Sequence, residues 1–73
     1  YAKAWGTLGV CNAMQGRYAV AEENYRTALK LDENQNFARI GLGRALFARD
    51  QLEGCVEQLQ AAVAIEPAAL DAQ

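Results

Sequence analysis

The sequence predicts an all-α fold, a solenoid-like stack of antiparallel helical hairpins. Three observations carry that expectation. Shifted by 34 residues, the chain matches itself without a gap: Ala4 meets Ala38, Leu8 meets Leu42, Gly9 meets Gly43, Ala28 meets Ala62 and Leu31 meets Ile65. Within each half the spacing is helical, as in Trp5, Leu8 and Asn12 (i, i+3, i+7) and Ala21, Tyr25 and Ala28 (i, i+4, i+7). Finally, Gly16 and Asp50 occupy the same place in the two halves, and both residue types tolerate the left-handed conformation that ends a helix.

The elements follow in order. A first helix is expected over 2–15, ended by Gly16, and a second over 18–31, ended by the turn in "LDENQN". A third is expected over 36–48, stopped near Asp50, and a fourth over 52–65, before "IEPAAL". Pro67 does not extend the helix behind it but suits the first turn of a new one. Each connection is a few residues long, so consecutive helices are antiparallel neighbours. The whole of 1–73 reads as one domain: repeat one over 2–35, repeat two over 36–69, and the start of a further helix over 70–73. On this reading Tyr1 closes a preceding unit, and the chain is a piece of a longer array.

Small residues mark where paired helices approach closely: Gly9, Ala21 and Ala28 in the first hairpin, Gly43, Cys55 and Ala62 in the second. Large ones are expected to fill the remaining space: Trp5, Leu8, Tyr18, Tyr25 and Leu31, then Leu42, Leu46, Leu52, Leu59 and Ile65. Burying such a side chain is worth about 1.5–3 kcal/mol. One hairpin does not cover its own apolar face, so stacking on a neighbour is required. Met14 reads as a core gap-filler. Cys11 and Cys55 read as buried thiols on helices that do not touch, so no disulfide between them is expected. Glu22, Glu23, Arg26 and Lys30 read as a solvated stripe with Glu22 and Arg26 in the favourable i, i+4 order, and Glu53 and Glu57 as its counterpart on the fourth helix.

Composition narrows function. With 52% hydrophobic residues the chain is no disordered tail. A formal net charge of −2 argues against nucleic acid as the main partner. No segment approaches the roughly 20 apolar residues a membrane span needs, and no signal peptide is evident, which leaves the compartment open. There is no histidine and no nucleophile beside a base. Gly41 and Gly43 sit in a helical pattern without the strand that a dinucleotide fingerprint requires. No catalytic set, cofactor or metal site is therefore expected, and two cysteines make neither a disulfide framework nor a zinc site.

The "WGTLG" opening, then Gly16, Tyr18, Ala21, Tyr25, Ala28 and a closing "LDEN", resemble a tetratricopeptide repeat, whose period is also 34 residues. The second unit departs at Arg39 for Trp5, Asp50 for glycine and Cys55 for alanine, yet has the closing Pro67 where the first has Glu33. The resemblance implies a right-handed α-α superhelix serving as a non-catalytic scaffold that binds a peptide or protein segment on its concave face. The first helix of each hairpin lines that face. The candidate groove residues are accordingly Lys3, Thr7, Val10 and Met14, then Phe37, Ile40, Arg44 and Phe47. Gly6 and Val10 stand where some members of the family carry a Lys and Asn pair that holds a terminal carboxylate, so a hydrophobic or amphipathic ligand is expected instead. Two other roles compete: a non-catalytic segment of a larger enzyme, and a self-assembly unit that forms homo-oligomers through exposed repeat ends.

Overall fold

The computed structural model describes residues 1–66, which form four helices: α1 (Ala2–Met14), α2 (Tyr18–Leu31), α3 (Asn36–Ala48) and α4 (Leu52–Ile65). The bounds of α3 repeat those of α1, and the bounds of α4 those of α2, 34 positions later. The first helix ends one residue earlier than expected because Gln15 is its C-cap. The helix start expected at Pro67 and the unit expected over 70–73 lie outside the described residues.

Matching local chemistry ends α1 and α3. Gly16 adopts φ 79° and Asp50 φ 63°. The Gly16 N–H donates to the Ala13 carbonyl and the Arg17 N–H to the Asn12 carbonyl, both at 2.9 Å. In the second hairpin the Asp50 N–H donates to Phe47 (3.0 Å) and the Gln51 N–H to Leu46 (2.8 Å). These paired bonds satisfy carbonyls that the helix end would orphan, and they reverse the chain within three residues.

α1 packs on α2, α2 on α3 and α3 on α4, with a narrower contact between α1 and α3. The core therefore sits on the two inner helices: Ala21, Tyr25 and Ala28 from α2, Ala38, Leu42, Ala45 and Leu46 from α3. α4 adds Cys55 and Ala62, whereas α1 buries only Gly6 and Gly9. The glycines are there for approach. A Cβ on Gly9 would stand 2.7 Å from Tyr25 Cε1, and one on Gly41 would stand 2.5 Å from Tyr25 Cζ. The Tyr25 ring thus fills the space between α1 and α3. Gly43 plays a similar part under Leu59, which would lie 3.1 Å from an added Cβ.

Polar side chains tie the hairpins at fixed points. Asn12 Nδ2 donates to Asn24 Oδ1 at 2.7 Å, joining α1 to α2. The Gln35 amide, oriented to satisfy both its atoms, donates to the Ala2 carbonyl and accepts from the Lys3 N–H, each at 3.1 Å. That links the start of α3 to the first turn of α1. Asn36 Nδ2 donates to the Ala62 carbonyl at 3.1 Å, joining α3 to α4. Glu22 on α2 pairs with Arg49 at the end of α3 and, at 3.7 Å, with Arg26.

Several expectations are corrected. Glu22 is not part of a solvated stripe: it is buried, and the Arg49 guanidinium closes over it. Trp5, Leu8, Leu31, Leu52 and Ile65 are substantially exposed rather than core. α1 and α4 are the outer helices of the stack, so their far sides meet no third helix among the described residues. Met14, expected to fill a core gap, is instead 84% exposed at the last position of α1. Cys11 is exposed and Cys55 buried, and both are free thiols.

Two stability tests follow. Asp50→Gly relieves a side chain held at positive φ and should stabilise the chain by about 0.5–1 kcal/mol, while Gly16→Ala should cost about 1 kcal/mol or more. Urea denaturation checks both, and an unaltered midpoint in either variant contradicts the assignment of these turns. Glu22→Ala should cost about 1–2 kcal/mol, discounted because Arg49 is partly solvated, against less than about 0.5 kcal/mol for Glu23→Ala. Equal losses would show that the joint does not depend on the Glu22 pair.

Candidate interaction cleft

Because α1 and α3 both lean on the same tyrosine, a cleft opens between them above its ring. It encloses about 470 Å³, within the range of pockets that hold a small ligand or a few side chains. Val10 and Met14 line it from α1, Phe37, Ile40 and Arg44 from α3, and Tyr18 and Tyr25 from α2. Gly41 also faces it, and with no side chain there the Tyr25 hydroxyl reaches the floor: Oη would lie 2.8 Å from a Cβ at that position.

Five of the expected groove residues are thus brought together: Val10, Met14, Phe37, Ile40 and Arg44. Phe37 is partly committed to packing, since its Cζ would stand 2.5 Å from a Cβ on Gly6. Lys3, Thr7 and Phe47 do not line the cleft. Thr7 Oγ1 donates back along its own helix to the Lys3 carbonyl at 2.9 Å, Lys3 is exposed, and Phe47 is exposed outside the rim. Sequence reasoning missed Tyr18 and Tyr25 as part of the site. The available signal was Gly41, which stands where the first unit has Thr7 and so serves something other than the repeat itself.

Burial raises the Tyr25 phenol above its ordinary value of 10.0, opposed by the positive charge of Arg44 and assisted by the Cys11 thiol. The hydroxyl is therefore a neutral donor at the cleft floor through the physiological range. No carboxylate lines the cleft. Among the described residues no group of three or more Cys, Asp or Glu side chains gathers to hold a metal ion, and no helix is long and apolar enough to cross a membrane. A second apolar surface runs along α4. Leu52, Val56 and Val63 form an exposed stripe there, with Leu59 beneath it.

The raised phenol gives a pH test. Its folded-state pKa lies above the unfolded one, so the neutral form favours the fold. That contribution is intact below pH 10.0 and is lost as pH rises through the folded value. Tyrosinate absorbance should show one phenol ionising above the ordinary range, absent in Tyr25→Phe and moved higher still in Arg44→Gln. A titration unchanged by Tyr25→Phe would contradict the buried setting described for this ring.

Residues 2–35 match the family model of the tetratricopeptide repeat, while comparison with curated proteins gives no match. Repeats of this family generally mediate protein–protein interaction and are typically non-catalytic scaffolds. That match covers α1 and α2, and α3 and α4 repeat the same hairpin at the same period, which supports identifying the chain as similar to the tetratricopeptide repeat family.

Proposed function

We propose that this chain is a non-catalytic interaction module of two repeats, 2–35 and 36–69, and that the cleft between α1 and α3 takes a peptide segment of a partner protein. The observation that supports this reading is apolar surface left open over a buried floor. Val10 is 37% exposed and Phe37 39% exposed, directly above a Tyr25 ring that is itself 2% exposed. Hydrophobic side chains of an incoming segment would complete that layer, with Arg44 at its edge to steer a charged partner.

Peptides selected by display against this chain, followed by amide chemical-shift mapping, test the reading. The shifts should cluster on Val10, Met14, Ile40 and Arg44. In the Val10→Glu variant affinity should fall at least tenfold with helicity unchanged. A map confined to α4, or a Val10→Glu variant that binds as before, would sink it.

The α4 stripe supports a second reading, association of copies end to end. α4 presents the same side of its hairpin that α2 turns toward α3, and Val56 stands where α2 has Glu22. An apolar side chain there replaces a buried charge. Sedimentation across a concentration series should show reversible self-association that Val56→Glu abolishes. A monomer at every concentration would remove this reading and leave the cleft untouched.

A further inference from the structure

The two outer surfaces of the stack are the two halves of the joint inside it. Moved by the 34-residue period, α4 takes the place of α2 and α1 the place of α3. The exposed Leu8 on α1 stands where the buried Leu42 stands on α3, and the exposed Ala4 where Ala38 is buried. A second copy that set its α1 on α4 would therefore continue the α2–α3 contact already present within the chain.

Two pairs carry the match beyond a shared apolar character. Across the inner joint the large Tyr25 ring lies against Gly41, where a Cβ would stand 2.5 Å from it. At the ends both members change in compensating directions: the smaller Leu59 stands for Tyr25, and the larger Thr7 for Gly41. Volume lost on one side returns on the other. The Thr7 hydroxyl already donates to the Lys3 carbonyl, so covering it strands no donor. Likewise Glu22 and Arg49 pair across the inner joint, while their counterparts are Val56 and Gln15. Had only one of the two changed, a docking copy would bury a charge alone.

Charge favours α1 over a second α4 as the occupant. α4 carries Glu53 and Glu57 and no basic residue, and both acids flank Leu52 and Val56. A symmetric α4–α4 pair would crowd the carboxylates of both copies, whereas α1 has Lys3 as its only charged side chain. We propose, resting on the end-to-end reading above, that the partner of the α4 face is α1 of a second copy, in the register of the α2–α3 joint. Such a contact joins two different surfaces. Each added copy leaves one of each exposed, and the assembly grows beyond a dimer.

Sedimentation of Leu8→Glu and Val56→Glu, singly and mixed, tests this. Both positions are exposed, and circular dichroism should show helicity retained. The wild-type chain should pass beyond a dimer as its concentration rises, and each variant alone should associate at least tenfold more weakly. An equimolar mixture should form a one-to-one dimer and nothing larger, since Leu8→Glu retains a working α4 face and Val56→Glu a working α1 face. The double variant Gln15→Arg/Val56→Glu should recover to within about tenfold of wild type, through an ion pair like that of Arg49 and Glu22. Thiol labelling of the wild-type chain needs no substitution. The exposed Cys11 stands where Ala45 is buried, and it should react more slowly as concentration rises.

Association retained in Leu8→Glu, or Cys11 labelling indifferent to concentration while the mass rises, would overturn α1 as the partner and leave association through α4 standing. A double variant that stays dissociated would overturn the register. A wild-type chain that is monomeric at every concentration, its α4 face covered from within its own chain or left bare, would overturn this proposal and the end-to-end reading together.

Discussion

The Tyr25 ring lies between two helices that both lack a side chain where it passes. Gly9 on α1 and Gly41 on α3 leave room for one aromatic ring and for nothing more, since a Cβ on either would fall within 2.5–2.7 Å of it. One side chain therefore sets how closely α1 sits on α2 and, in the same contact, how α3 sits on both. A hairpin of this size has too little core to stand alone. The ring makes the two hairpins share one. The cleft exists for the same reason: α1 and α3 lean on a common spacer and do not close on each other.

From that arrangement follows the division of labour among the helices. The inner pair, α2 and α3, holds the fully buried Leu42 and Leu46 and most of the buried alanines. The outer pair contributes one face each and leaves the other open. Charge follows the same geometry. Glu22 is buried where the hairpins meet and is held by Arg49 across the joint, while the faces of α1 and α3 that line the cleft carry no acid at all. Position along the stack, more than residue type, decides whether a given apolar or charged side chain acts as core, clamp or contact surface.

The period, the helix bounds and both left-handed stops were legible in the sequence because each depends on local chemistry: apolar spacing, glycine or aspartate at a positive φ, and a repeat that needs no gap. What was not legible depends on which neighbour a face meets. Trp5 and Leu8 carry the same helical pattern as Arg39 and Leu42, yet only α3 has a helix on each side. Glu22 looked like one more member of a charged stripe, because its partner Arg49 is distant in sequence and the joint that buries Glu22 is tertiary. Helix phase put Val10, Ile40 and Arg44 on the side of α1 and α3 that lines the cleft. Phe47 and Thr7 lie outside that lining, since phase alone does not say how far along α1 and α3 the opening extends. Tyr25 was legible as core but not as floor, a role that comes from Gly41 opposite.

The claim that one ring spaces the stack is tested most directly by the stability of Gly41→Ala measured in two backgrounds. In a helix interior, alanine for glycine ordinarily stabilises by about 0.5–1 kcal/mol. With Tyr25 in place the account predicts the opposite sign, a loss of about 1–3 kcal/mol from overpacking. In the Tyr25→Leu background, where the ring is gone, the same substitution should become neutral or stabilising. An equal effect of Gly41→Ala in both backgrounds, or a stabilising one with Tyr25 intact, would contradict the account.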